Sequence, residues 1–285
     1  MKIIDYTAKL NGTVEENLRL IGYSSKLITK LRKELGLIYS LDRKIPLRTI
    51  DKIYIGENFQ ITIKDEIKRK IPSYNLPLEF VYEDNDIAVI NKPNNLAVIS
   101  TSNHYAKSLE NALHSIWGDF IYRPVNRLDK DTSGLMIIAK NQLAHSILSK
   151  EKIIKKYVAL VDGKLLGTGI IDAPIYKNET GSMVRVVDNR GKFAKTSYKS
   201  LKVYTDYSLV EFTLYTGRTH QIRVHSSYIG HPLCCDFLYN PNPKPVITPN
   251  GKKLDRTALH SSYLEFTHPI SKKKITLTSK ADFEE

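Results

Sequence analysis

Between Pro124 and Leu135 the chain reads Pro-Val-Asn-Arg-Leu-Asp-Lys-Asp-Thr-Ser-Gly-Leu, which crowds Arg127, Asp129 and Asp131 ahead of the apolar run Leu135 to Ala139. A short polar loop at the mouth of a strand is a common way to present a reactive side chain. The same residue types also make ordinary surface turns, because Asp and Ser hydrogen-bond their own backbone and Gly tolerates positive φ. The loop by itself leaves both readings open. A calcium loop is a third: Asp129, Asp131, Ser133 and Gly134 fill the first, third, fifth and sixth places of an EF-hand pattern. The twelfth place, which needs a bidentate Glu, holds Lys140, and a cation there repels the metal.

A second group runs from Leu214 to Leu233 and carries Gly217, Arg218, Thr219, His220, Arg223, His225 and His231, with Cys234 and Cys235 just beyond. Zinc sites repeat a tight pair spacing, whereas here a helix separates the histidines and Pro232 interrupts the last group, so no metal is expected. The segment reads as a strand, a Gly turn, Thr219 as N-cap and a helix ending at Gly230. His220 and Arg223, three apart, fall on one face, with Ile222 and Ile229 turned elsewhere. Tyr157, in Lys155-Lys156-Tyr157-Val158-Ala159-Leu160-Val161, reads as a partly buried strand tyrosine with its hydroxyl tied to a neighbour.

The 285 residues suffice for one large domain or two smaller ones. With 41% hydrophobic and 26% charged residues, the composition is that of a soluble globular protein. Lys and Arg number 43 against 30 Asp and Glu, a formal charge of +13 that biases the surface toward a polyanion, nucleic acid above all. Met1 to Tyr6 is too short and too charged for a signal peptide, and no run approaches the ~18 apolar residues of a membrane helix. Cys234 and Cys235 are adjacent and poorly placed to bridge each other. A reduced, cytoplasmic setting away from membranes is the expectation.

In residues 1–66, Thr13-Val14-Glu15-Glu16 reads as a capping box opening a helix that ends near Gly22. Ser24 or Ser25 caps a second helix, Lys26 to Glu34, closed by Gly36, with Leu27, Ile28, Leu31 and Leu35 on one face. Lys26, Lys30, Arg32 and Lys33 crowd its remaining surface. Short strands follow, Leu37 to Ser40 and Phe59 to Ile63, with a turn at Asp42-Arg43. Residues 1–76 hold 15 Lys and Arg against 9 Asp and Glu, six net positive charges on about a quarter of the chain. Residues 67–77, mixing charge with prolines, read as a linker.

From 78 to 285, Phe80 to Pro93 reads as a hairpin around an acidic turn. Ser108 caps a helix, Leu109 to Trp117, with Leu109, Ala112, Leu113, Ile116 and Trp117 inward. Asn141 caps another, burying Leu143, Ala144, Ile147 and Leu148. Lys195 to Tyr204 and Ser208 to Tyr215 alternate as antiparallel strands do.

The Arg127-Leu128-Asp129 to Thr132-Ser133-Gly134 segment resembles the signature of the RluA-type RNA pseudouridine synthases. The hairpin ending Asn91-Lys92-Pro93, the Tyr157 block, the Leu214–Leu233 block and the run Leu259 to Pro269 resemble that family's other blocks in the same order. The likeness spans residues 78–285, and the most specific part is the Leu214–Leu233 block. Two positions depart: Asn126 stands where most members carry His, and Cys235 where Gly is usual. The N-terminal residues resemble a divergent S4-like RNA-binding domain.

This resemblance implies an α+β fold, a mixed, largely antiparallel sheet forming the catalytic domain, preceded by a small S4-like domain. It implies breakage of the N1–C1′ bond of a uridine in RNA, rotation of the base and reattachment through C5, with no cofactor and no metal. Asp129 would be the catalytic carboxylate, by direct attack or by taking the 2′ proton. Arg223 would pair with it, holding both oxygens in its fork. Tyr157 would stack on the base and take the C5 proton. Arg127, Arg218 and His220, with Lys26, Lys30, Arg32 and Lys33, would contact RNA; Asn126 would bear on those contacts. Ribosomal RNA is the expected partner, bound by a monomer, with transfer RNA as the alternative and DNA disfavoured for want of a 2′-hydroxyl. An S4-bearing binding protein that has lost catalysis is a second class. A nucleoside glycosidase is a third, although it would want a second acid.

Overall fold

At the N-terminus the strand Asn58–Ile63 alternates buried Phe59, Ile61 and Ile63 with more accessible Asn58, Gln60 and Thr62, the period-two pattern of a sheet with one face on a core. In the computed structural model, which describes residues 2–64, 71–101, 105–177, 183–248 and 250–284, that strand is central to a small sheet. The elements of this first unit are β1 (Lys2–Thr7), β2 (Gly12–Thr13), α1 (Val14–Ile21), α2 (Ser25–Arg32), β3 (Ile38–Ser40), β4 (Ile45–Pro46), β5 (Lys52–Ile53) and β6 (Asn58–Ile63). The main sheet runs β1-β6-β3-β4, all antiparallel, and α1 and α2 close its core.

The Thr13 capping box forms as expected, Thr13 accepting from Glu16 N and Glu16 accepting from Thr13 N. Ser24 caps α2, which stops at Arg32, two residues earlier than the sequence predicts. Leu35 therefore leaves the apolar face and projects from the turn, 68% exposed. Of the four basic residues expected on this helix, Arg32 is paired with Glu15 and bonded to Thr49, Lys30 donates to the carbonyl of Lys64, and Lys33 falls at the C-cap. Lys26 and Lys33 are exposed. The predicted linker lies partly outside the described residues, which resume at Ile71.

The second unit comprises β7 (Glu79–Glu83), β8 (Ile87–Lys92), α3 (Leu109–Trp117), β9 (Ser133–Ala139), α4 (Gln142–Leu148), β10 (Ile154–Asp162), β11 (Thr168–Asp172), β12 (Ile175–Lys177), β13 (Arg185–Val187), β14 (Lys195–Val203), β15 (Tyr207–Leu214), α5 (Gln221–Tyr228), β16 (Val246–Ile247), β17 (Lys253–Leu254), β18 (Leu259–Thr267) and β19 (Lys274–Thr278). Nine of these strands form one sheet in the order β11-β14-β15-β10-β18-β9-β8-β7, with β19 also on β18. Its pairings are antiparallel except β18 with β9, so the fold is α+β around a mixed sheet, as the sequence predicts. β9 is buried along its whole length, which is why Leu135 to Ala139 is continuously apolar rather than alternating. Ile116 is a correction: it lies in the last turn of α3, 46% exposed, while Trp117 and Phe120 fill the space toward Phe80. No helix among the described residues is long and apolar enough to cross a membrane.

The two units are packed together through α4. Leu143, fully buried, belongs to the N-terminal core, and Ile147 packs on the same cluster. Gly22 ends α1 at φ +108°, and a Cβ there would meet Ile147 Cγ1 at 3.0 Å, so both conformation and contact require glycine. Ser146 Oγ donates to the Gly22 carbonyl at 3.3 Å.

Candidate active site

The Asp129 loop is held from below by backbone and side chains. Leu128 is buried in the main core, and Thr132 N donates to the Asp129 carbonyl at 3.2 Å. Lys92, at the end of β8, is fully buried and donates to the carbonyls of Pro93, Leu96 and Lys130 at 2.8, 3.0 and 3.1 Å. Burial pulls its ammonium down from the usual lysine range to about 7, against the charges of Asp131 and Asp129. Beyond the loop, Gly134 at φ +106° lies against Ser261, whose backbone oxygen would be 2.4 Å from an added Cβ. That close approach is the parallel β9–β18 pairing, so Gly134 serves the sheet rather than a flexible turn. Ser133 Oγ bonds His260 Nδ1 at 2.9 Å; burial, aided by Arg256, lowers that imidazole to about 4.

Thus positioned, the Asp129 carboxylate is partly open, its side chain 29% exposed. Arg223 Nη1 donates to Asp129 Oδ2 at 3.1 Å. The sequence predicts a bidentate grip on Asp129, and the structure corrects this: Nε and Nη2 of Arg223 donate instead to the two oxygens of Asp236, each at 2.7 Å. Asp236 is fully buried and also accepts from Leu238 N, so the fork is fixed on the carboxylate that water cannot reach. Burial alone would lower the Arg223 pKa; the bonds and charge of Asp236, with that of Asp129, outweigh it and raise it.

Tyr239 braces the same group from the side, its ring 5.0 Å from the Arg223 guanidinium carbon. Its hydroxyl accepts from Arg185 N at 2.9 Å and meets His220 Nδ1 at 2.8 Å. With the phenol hydrogen given to Nδ1, the imidazole carries its own on Nε2, which faces Asp129 Oδ2 at 3.8 Å. Burial lowers the pKa of His220, opposed by Asp129. His220, rather than Thr219, occupies the N-cap of α5, in a left-handed conformation at φ 56° and without a side-chain cap bond. That geometry points its ring into the site instead of along the helix, so this residue, expected on the RNA surface, lies beside the carboxylate.

Tyr157 sits where β10 bulges against β18, directly across from Ser261. It is buried, and burial raises its pKa, with the charge of Asp129 adding to the rise and Ser261 opposing it. The Ser261 hydroxyl faces it without completing a hydrogen bond of good geometry. Burial therefore favours the neutral phenol.

Arg127, in the loop, is exposed; Arg218, in the turn before α5, is also exposed, and its Nε donates to the Phe193 carbonyl at 2.9 Å. Lys26, Lys30, Arg32 and Lys33 belong to the other unit and do not join this constellation. Asn126 is buried, and its Oδ1 accepts from Ile137 N at 2.8 Å, which braces β9. Cys235 adopts φ 58°, which explains why Gly suits that position in resembling sequences. Lys92, Asp236 and Tyr239 carried no prediction. The signal for Lys92 was a lysine closing a strand that opens with the apolar run Ile87 to Ile90, where its charge has no solvent.

One carboxylate and imidazole cluster outside this site, Asp84, Asp86 and His268, has metal-like proximity. Its atoms are already committed: His268 Nε2 bonds Asp84, whose other oxygen accepts from Asp86 N and Ile87 N, while Asp86 accepts from Asn141. It ties β18 to the β7–β8 turn and α4.

Residues 86–228, which contain Asp129, Tyr157 and Arg223, match the family model described as RNA pseudouridylate synthase. The chain belongs to that family. The synthase is 36% identical to ribosomal large subunit pseudouridine synthase D of Haemophilus influenzae, over 78% of this chain and 72% of the relative. It is 34% identical to the protein of the same name from Buchnera aphidicola subsp. Schizaphis graminum, over 89% of this chain and 90% of the relative, a span that takes in part of the N-terminal unit. Among solved structures it is similar to human RNA pseudouridylate synthase domain containing 1, with a TM-score of 0.59 at 25% identity, covering 75% of this chain and 88% of that one. This enzyme isomerises uridine in RNA to pseudouridine.

Proposed function

We propose that the substrate is ribosomal RNA and that Asp129 is the carboxylate that works at C1′ of the target uridine. The observation that carries the assignment is Asp129 itself: a partly open carboxylate bonded through a single N–H to an arginine that is otherwise locked on buried Asp236. Such a carboxylate stays ionised and aimed while keeping lone pairs for the sugar. Attack at C1′, or removal of the 2′ proton, breaks the N1–C1′ bond; the base turns, C5 bonds C1′, and the C5 proton leaves while N1 gains one.

Tyr157 offers its aromatic face to the flipped base, which loses its stacking when it leaves the strand. Its neutral hydroxyl can take the C5 proton only by passing its own to a neighbouring acceptor, and Asp129 is the charged group whose field reaches it. His220 donates toward Asp129 from the other side, and Arg127 holds a flanking phosphate or fills the space the base vacates. The N-terminal unit, in this reading an S4-like domain, adds RNA affinity through Lys26 and Lys33. The relatives' names, which specify the ribosomal large subunit, support ribosomal over transfer RNA.

The test is tritium release from RNA labelled at C5 of uridine, with ribosomal and transfer RNA offered separately. Release from ribosomal RNA at a discrete set of positions is expected. Release from transfer RNA alone would overturn the substrate assignment, and release from neither would overturn the chemistry.

A further inference from the structure

Immediately before His220, Arg218 and Thr219 form one wall of a cleft of about 340 Å3 whose other wall is the paired strands β12 and β13 and the turn after β13. Five cations line it: Lys177, Arg185, Arg190, Lys192 and Arg218. Lys177, Arg190, Lys192 and Arg218 are exposed, so their charges face solvent. The nearby carboxylate, Asp188, is taken by Arg190, whose Nε and Nη2 donate to it at 3.0 and 2.8 Å. The same guanidinium lies over the Tyr176 ring at 4.4 Å, which fixes it flat in the cleft. Arg218 is fixed by its bond to the Phe193 carbonyl, and Phe193, which follows Lys192 in the chain, is 56% exposed.

Like charges gathered in one concavity repel each other, and a polyanion relieves that repulsion. An exposed aromatic, Phe193, next in the chain to the cleft residue Lys192, suits a nucleic-acid strand, whose bases stack while its phosphates pair. The cleft is also wired to the chemistry: the backbone N–H of Arg185 donates to Tyr239, which bonds His220 beside Asp129. We propose that this cleft is a phosphate-backbone subsite that holds the RNA strand flanking the target uridine, separate from the contacts of the N-terminal unit. The inference rests on the reading that Asp129 acts on a uridine in RNA.

The experiment compares full-length protein with the triple variant Lys177→Gln, Arg190→Gln, Lys192→Gln, none of which touches Asp129, Tyr157 or Arg223. RNA affinity is measured by filter binding across salt concentrations, with an Asp129→Asn background so that turnover plays no part. KM and kcat for C5 tritium release are measured in the Asp129 background. With Arg190 already paired to Asp188, loss of the Lys177 and Lys192 phosphate contacts should make the salt slope shallower by ~1.4 and lower affinity several-fold or more at low salt. KM should rise while kcat stays within about twofold, the pattern of lost uniform binding. An unchanged slope and affinity would overturn the subsite, as would a collapse of kcat at constant KM. Circular dichroism checks the fold, and the single surface variants Lys177→Glu and Lys192→Glu must reproduce the direction if the triple variant is unstable. If no variant and no wild-type protein releases tritium, the catalytic reading fails, while the binding slopes still decide the cleft.

Discussion

Arg223 holds Asp236 with Nε and Nη2, each at 2.7 Å, and gives Asp129 a single Nη1–H at 3.1 Å. The arginine is thus a spacer between two carboxylates, one dry and one partly open to solvent. Lysine cannot reproduce this, because an ammonium has no planar fork to span both. Arg223→Lys should lower kcat by more than about a hundredfold. Arg223→Met should in addition destabilise the fold by ~3–5 kcal/mol, since Asp236 is left buried and unpaired. Urea unfolding beside turnover separates the two effects; a fully active Arg223→Lys enzyme would remove the spacer role.

Tyr157→Phe keeps the aromatic face and removes only the hydroxyl. RNA should still bind and the glycosidic bond should still break, yet product should be weak or absent, with RNA retained as a stalled complex. Gel analysis after incubation reads this directly. Unimpaired tritium release from Tyr157→Phe would leave the residue with stacking alone.

Lys92 supplies a pH signature. Its ammonium titrates near 7 in the folded protein because burial disfavours the charge, against ~10.4 in an unfolded chain. Between those values the unfolded state binds one more proton, so this group's burial penalty is present below pH 7 and relieved as pH rises. The stability of the wild type relative to Lys92→Met should therefore increase from pH 7 to pH 10. A difference that is flat with pH would mean that the three carbonyls keep the ammonium charged throughout.

Deleting residues 1–70 should do more than weaken RNA binding. Leu143 and Ile147 on α4 lose their partners, and full burial of a leucine is worth ~1.5–3 kcal/mol. The truncated enzyme should melt earlier, with raised KM. Lys26→Gln with Lys33→Gln should raise KM and flatten the salt slope with no change in melting temperature. A truncation that melts like the wild type would show that α4 does not need its cover.

The elements that bear the site were largely legible. The caps at Thr13, Ser108 and Asn141 and the strand of Tyr157 follow from local hydrogen bonding and periodicity, which a sequence displays directly. The pairing of Asp129 with Arg223 came through resemblance, because 94 residues separate them and only the folded sheet brings them together. What was not legible is competition for a partner. Asp236 takes the Arg223 fork because it is the drier carboxylate, and dryness is a property of packing. His220 escaped the helical reading for a related reason: its backbone is left-handed and its ring bonds Tyr239, and no local pattern announces either. Leu35 and Ile116 show the reverse error, periodicity carried past the point where the helix or its cover ends.

Asp129→Asn is the most direct test of the central claim. The amide preserves the shape of the side chain and can still meet Arg223, so folding and RNA affinity should change little. It can neither attack C1′ nor take the 2′ proton. Tritium release from C5-labelled ribosomal RNA, measured at saturating RNA beside a filter-binding control, should fall to background. Release within about tenfold of wild type, with normal binding, would take Asp129 out of the chemistry.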